Sequence, residues 1–226
     1  LRYREEHALF EVTDSALAEI ATARGAFVTP NPVSPALLAR AANRIRPVGQ
    51  EPTTGDADIL VRRWLPVDCD PVRPAGISST DAEHALAIAK ATEIRDGLAT
   101  LGWPEPVVID SGNGGQLLYR IDLPVDDGGL VQRCLQSLAA AGDHRVEIDQ
   151  AVHNPARIWR LPGTWNRKGD DVPDRPHRLA RVVRAPAALG AVSRALIDVL
   201  AQTPVDGPRT PRGAPCAQTG PPGGRP

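Results

Sequence analysis

The sequence predicts an α+β fold: a mixed sheet with helices on one face in split β-α-β-β-α-β order, plus a small N-terminal α/β module. Three observations predict it. From Ile59 onward, strand-like runs and helical periodicities follow one another as strand, helix, strand, strand, helix, strand, then a loop and a further strand. A capping pattern at Thr80 and a glycine-rich reversal at 111–116 mark where elements begin and turn back. The chain is 226 residues long with 42% hydrophobic and 23% charged side chains, enough to bury one large core and too apolar for a disordered protein.

Asp14 to Arg24 reads as a short helix, and Phe27-Val28 as a strand running into Asn31-Pro32. Pro35 suits a helical first turn, and a helix from it would carry Leu37, Leu38 and Ala41-Ala42 inward. Ile59 to Asp70 is an apolar and basic strand that ends at Pro71. Thr80-Asp-Ala-Glu83 is a capping box, in which the cap hydroxyl and the third-position carboxylate satisfy backbone NH groups that a helix start leaves unpaired. Ala87, Ala91, Ile94, Leu98 and Leu101 then mark one helical face, and Gly102 with Pro104 stops the helix. Val107–Asp110 and Leu117–Leu123 form a hairpin across Ser111 to Gln116. Leu130, Val131, Cys134, Leu135 and Leu138 define a second helix ending at Gly142, and Val146 and Ile148 alternate with Glu147 and Asp149 in a short strand. His177 to Val183 is a strand and Ala185 to Gln202 the last helix. Residues 204–226 hold seven Pro and five Gly, the composition of a linker or disordered tail, which leaves 1–203 as the folded domain.

Composition excludes several classes. No apolar run approaches the roughly 18 residues of a membrane span. Cys69, Cys134 and Cys216 are too few and too scattered for a disulfide framework or a zinc site, and with no signal-peptide pattern a reducing cytoplasm is the expectation. There is no GxxxxGK[ST] loop, and His7, His84, His144, His153 and His177 make no zinc or triad spacing. A net charge of −1 hides an uneven distribution: residues 157–184 carry eight Arg or Lys against three Asp. The first residue is Leu and there is no Met, so the chain reads as a fragment whose start lies upstream.

Asp68 and Asp70 lie two apart at a strand end, on one face and about 6.7 Å apart at Cα. Two bare carboxylates drawn to about 4 Å repel by roughly 4 kcal/mol at an effective dielectric of 20, so a shared divalent cation is the natural way to keep both ionised. Oxygen ligands alone favour Mg²⁺ or Mn²⁺ over Zn²⁺. Asp149, on the face opposite Val146 and Ile148, ends a strand that the split order puts beside the first. Three Asp on one sheet face suit a two-ion phosphoryl-transfer site; capping of the following loop is the simpler alternative for Asp149. The hairpin tip brings little side-chain cover and several NH groups, as an anion cradle or an ordinary turn would. In the segment Asn154 to Gly169, Arg157 and Arg160 can pair with phosphates, Lys168 adds a point charge, Thr164 and Asn166 can donate hydrogen bonds, and Trp159 and Trp165 either stack on bases or fill the core.

Taken together, Trp64 to Glu83 with its Val67-Asp-Cys-Asp-Pro71, Asp110-Ser-Gly-Asn-Gly-Gly-Gln116, Val146-Glu-Ile-Asp149 and Asn154 to Gly169 resemble the bifunctional primase-polymerase domains of the archaeo-eukaryotic primase superfamily, found in phages, plasmids and mobile elements. Residues 26–184 match in consistent order, and Phe27-Val-Thr-Pro-Asn-Pro-Val33 with Leu37 to Asn43 is similar to the family's upstream module. The resemblance implies an RRM-like catalytic unit in which Asp68, Asp70 and Asp149 hold two Mg²⁺ or Mn²⁺ ions. It further implies that Ser111, Asn113, Gln116, Arg157, Arg160, Thr164, Asn166 and Lys168 bind the nucleotide. The expected activity is DNA priming and polymerisation from NTP or dNTP on a single-stranded DNA template, with a helicase partner beyond the Pro-rich tail. Gln116 stands where the family carries a His that contacts the triphosphate. An uncharged amide donates a hydrogen bond but cannot shuttle a proton, so a weakened member that only binds single-stranded DNA or nucleotide is the first alternative. A metal-dependent nuclease is the second.

Overall fold

The structure is a computed structural model that describes residues 20–40, 53–140 and 143–202. In chain order its elements are β1 (Phe27–Val28), β2 (Arg62–Pro71), α1 (Asp81–Thr100), β3 (Val107–Asp110), β4 (Gly115–Leu123), α2 (Leu130–Ala140) and β5 (Val146–Ile148). Four short strands follow, β6 (Trp159–Arg160), β7 (Trp165–Asn166), β8 (Arg178–Leu179) and β9 (Arg181–Arg184), and then α3 (Arg194–Gln202).

Alternation along β2 organises the molecule. Leu65, Val67 and Cys69 have no exposed surface, whereas Asp68 and Asp70 between and beyond them point the other way. The buried row faces α1: Cys69 pairs with Gly115, and a Cβ placed on Gly115 would stand 2.7 Å from Ala91 Cβ and 2.9 Å from the Ala87 carbonyl. Glycine at 115 lets helix and sheet approach closely. The helix itself starts as the sequence predicts, with Thr80 Oγ1 accepting from Glu83 N and Glu83 Oε2 accepting from Thr80 N. Ala87, Ala91 and Leu98 face the core beside Trp103, which meets Tyr119 edge-on at 5.1 Å. Leu101, expected inward, is exposed, because it is the C-cap and the chain turns away at Gly102 with φ 85°. α2 buries Leu130, Val131, Cys134, Leu135 and Leu138 as expected and packs against β5 and α3.

The central sheet has the order β5-β2-β4-β3-β9, and every pairing in it is antiparallel. This corrects the expected mixed sheet. Each helical crossover skips a strand, so β2 and β3 are separated by β4, and β4 and β5 by β2; no parallel neighbours remain. Three other expectations change. Pro35–Arg40 is a 3₁₀ helix with no buried residue, so Leu38 is exposed and Leu37 only half-buried. The run His177 to Val183 divides at buried Ala180, with β8 pairing β7 and β9 pairing β3. The last helix begins only at Arg194, since Pro186 and Gly190 interrupt the preceding residues. The first part of the Asp14–Arg24 helix, Ala41-Ala42, Gly142 and the tail 204–226 lie outside the described residues.

The upstream segment is tied to the sheet instead of standing apart. A bulge at Arg62/Trp64 leaves the Arg63 and Trp64 NH groups to Asn31 Oδ1, at 2.8 and 3.2 Å, while Asn31 Nδ2 donates to the Pro155 carbonyl. β1 pairs with β6, with Phe27 opposite Arg160.

Candidate active site

On the sheet face opposite α1, a cleft of about 450 Å³ gathers residues from five separated stretches of chain. Asp68, Asp70 and Asp149 line it together. β5 lies beside β2, with Ile148 opposite Cys69, and Asp149 N donates to the Asp68 carbonyl at 2.9 Å; that pairing brings Asp149 to the other two. Asp149 also caps the next turn, its Oδ1 accepting from Ala151 N at 2.8 Å, so the simpler alternative holds for one of its oxygens. Arg73 Nη1 stands 3.6 Å from Asp70 Oδ1. Burial first, then the neighbouring Asp70 and Asp149 carboxylates, push the Asp68 carboxyl up to about 8 against the opposing Gln116 hydrogen bond and Lys168.

Three carboxylates lining one cleft form an oxygen-only donor set, the chemistry a hard divalent cation takes. Asp68, Asp70 and Asp149 therefore fit Mg²⁺ or Mn²⁺ by donor chemistry. In the arrangement described they are not drawn around one point, and among the described residues no three acidic, His or Cys side chains stand close enough to grip one ion.

The hairpin tip sits directly against this end of β2. A Cβ on Gly114 would fall 2.3 Å from the Cys69 carbonyl and 3.1 Å from Asp70 Oδ1. Ser111 Oγ accepts from Gly114 N at 3.0 Å, and Gly112, with φ 85°, accommodates a turn that another residue would strain. Asn113 Oδ1 accepts from Ser79 N and Oγ at 2.8 and 3.1 Å, and Asn166 Nδ2 donates to the Ser111 carbonyl at 2.8 Å. Gln116 lies in β4 beyond the tip, opposite Asp68, and donates to Asp68 Oδ1 at 3.1 Å. Three buried amide atoms here, Asn113 Nδ2, Gln116 Oε1 and Asn166 Oδ1, have no hydrogen-bond partner among the described residues, and all three side chains line the cleft. Buried polar atoms left unmatched at a cleft wall are what a polar ligand satisfies.

From the third segment, Arg157, Arg160, Asn166 and Lys168 reach the cleft and Thr164 does not. Thr164 is buried, its hydroxyl donating to the Leu161 carbonyl at 2.6 Å within its own turn. Trp159 is core, 3% exposed, whereas Trp165 is 44% exposed. The basic count of residues 157–184 overstates the positive charge, because its C-terminal half is spent on acids elsewhere. Arg175 pairs with Glu83, Arg178 with Asp81, Arg181 with Asp110 and Arg184 with Glu105. Arg178 also donates to the Ser79 carbonyl at 2.9 Å, fastening the loop over the start of α1.

Sequence reasoning missed Arg24, Phe27 and Arg73 as lining residues, and did not single out Ile158 and Arg167 within the Arg157–Lys168 segment. It also missed Asp110, which supports the tip from beneath: its Oδ1 accepts from Gly112 N and from His84 Nε2, each at 2.8 Å. Burial alone would raise its pKa, but those hydrogen bonds and Arg181 outweigh it and hold the carboxyl below its ordinary value. Strand-final Asp110 before Ser-Gly, with His84 in the first turn of α1, was the available signal. No protein-family model, curated protein or solved structure matches the chain.

Proposed function

We propose that this chain is a template-directed nucleotidyltransferase, a DNA primase and polymerase, and that its β2-α1-β3-β4-α2-β5 portion is an RRM-like catalytic unit. One observation carries the reading: the cleft in which Asp68, Asp70 and Asp149 meet the Ser111–Gln116 hairpin and the Arg157–Lys168 segment. Acidic and basic groups side by side suit a nucleoside triphosphate that arrives with its own counter-ions. Asp68, Asp70 and Asp149 would hold Mg²⁺ or Mn²⁺, which when bound supplies charge neutralisation at the reacting phosphate.

The chain's own residues do the remaining work by positioning and electrostatics. Lys168, Arg157 and Arg160 offset phosphate charge, and the unmatched amides of Asn113, Gln116 and Asn166 orient the nucleotide. A 3′-hydroxyl attacks the α-phosphorus, the bond to the bridging oxygen breaks and pyrophosphate leaves, the hydroxyl proton passing to solvent.

The test is primer synthesis on single-stranded DNA with NTPs or dNTPs and Mn²⁺. Labelled product is expected from the wild type and none above background from Asp68→Ala. Absence of product from the wild type would sink the enzymatic reading, and template degradation would favour the nuclease. The Gln116 hydrogen bond to Asp68 keeps the binding-only reading in play: nucleotide or strand binding without product would select it.

A further inference from the structure

The β1–β6 ribbon has two unlike sides. Trp159 on one side is 3% exposed and packed in the core. Phe27 and Ile158 on the other are each 51% exposed and line the cleft. The Phe27 ring is held in place: the Arg160 guanidinium lies over it at 4.6 Å and donates to the Trp165 carbonyl at 3.1 Å. Gly25 makes room for that guanidinium, since a Cβ there would come within 2.5 Å of Arg160 Nη1. Arg24 and Arg167 line the same cleft, joined by the Arg167 N to Arg24 carbonyl bond at 3.2 Å. Unlike Arg175, Arg178, Arg181 and Arg184, none of Arg24, Arg160 and Arg167 has a carboxylate partner among the described residues.

We infer that Phe27 and Ile158, backed by Arg160, form a base-stacking platform for single-stranded nucleic acid, with Arg24 and Arg167 taking its phosphates. An aromatic ring held still, half exposed and flanked by arginines without carboxylate partners, of which Arg167 is steadied by its donation to the Ala21 and Ala23 carbonyls, matches the two halves of a strand, bases and backbone. A strand fits better than a mononucleotide, because a nucleotide's phosphates belong with Lys168 and the carboxylate end, leaving Arg24 and Arg167 for phosphates of another chain. The inference rests on the polymerase reading for the use of that strand, but strand binding is measured without catalysis.

The experiment is an anisotropy titration of labelled oligothymidylate, and of an abasic oligonucleotide of equal length, against the full chain without nucleotide. Phe27→Ala is expected to weaken oligothymidylate binding about 5- to 20-fold and to leave abasic binding unchanged, with Phe27→Tyr retaining affinity and all three proteins melting alike. Equal binding by Phe27→Ala and wild type would overturn the platform. So would an equal loss on the abasic strand. Intact Phe27-dependent strand binding with no primer synthesis would remove the polymerase reading and leave the platform standing.

Discussion

At Asp68 the fold concentrates cost: the carboxylate is pressed between burial and two other acids, and Gln116 gives it an amide where a cation would serve better. Gln116→His places a side chain that can carry charge here, and under the proposed reading it is expected to raise primer synthesis and tighten nucleotide binding. Unchanged rates and affinity would make the glutamine neutral. Asp110 has the opposite electrostatics. A carboxyl held below its ordinary pKa contributes stability that is complete above the unfolded value near 4 and is lost as pH falls through the folded value. Asp110→Ala should therefore cost about 1–3 kcal/mol at neutral pH, and the gap to wild type should close in acid. Urea unfolding at neutral and acidic pH reads this directly, and a gap independent of pH would refute it. Both residues were in the sequence, but only Asp68 announced itself, through its spacing to Asp70; besides nearby Gly112, the partners of Asp110 are His84 of α1 and Arg181 of β9, brought to it by the fold.

Elements defined by local signals came out where the sequence put them. The Thr80 capping box, the 107–123 hairpin and the apolar face of α2 each depend on residues within a few positions of one another. The break at Ala180 depends instead on two different partners, β7 and β3, and no pattern inside 177–184 reveals it. Gly115 is similar: it reads as one more turn glycine, yet it is the point where α1 meets β4. Gly115→Ala should destabilise by about 1–3 kcal/mol through overpacking against Ala91 and the Ala87 carbonyl. A denaturation midpoint equal to that of the wild type would show that the helix can yield.

For the whole molecule, a metal held by the three carboxylates would make stability depend on its concentration. Mn²⁺ at about 100 times its Kd should add about 2.7 kcal/mol to the folded state, seen as a rise in Tm. Asp68→Asn removes a carboxyl that folding forces toward its neutral form, so that variant is expected to melt above the wild type in metal-free buffer and to gain little from Mn²⁺. No Mn²⁺-dependent rise in the wild type would argue against the carboxylates as ligands. Among the described residues no helix is long and apolar enough to cross a membrane.

The sequence by itself determined the α+β class, the order of the elements from β2 to β5 and the Asp-x-Asp pair, because periodicity, caps and residue spacing are short-range properties. Tertiary structure alone decided that the sheet is antiparallel throughout, that Thr164 and Trp159 are buried while Phe27 and Ile158 stand exposed in the cleft, and that half of the basic segment is neutralised by distant acids. The physical reason is common to all three. Strand neighbours, side-chain exposure and ion-pair partners are set by which segments meet in space, and pairings such as β1 with β6 join residues more than a hundred positions apart.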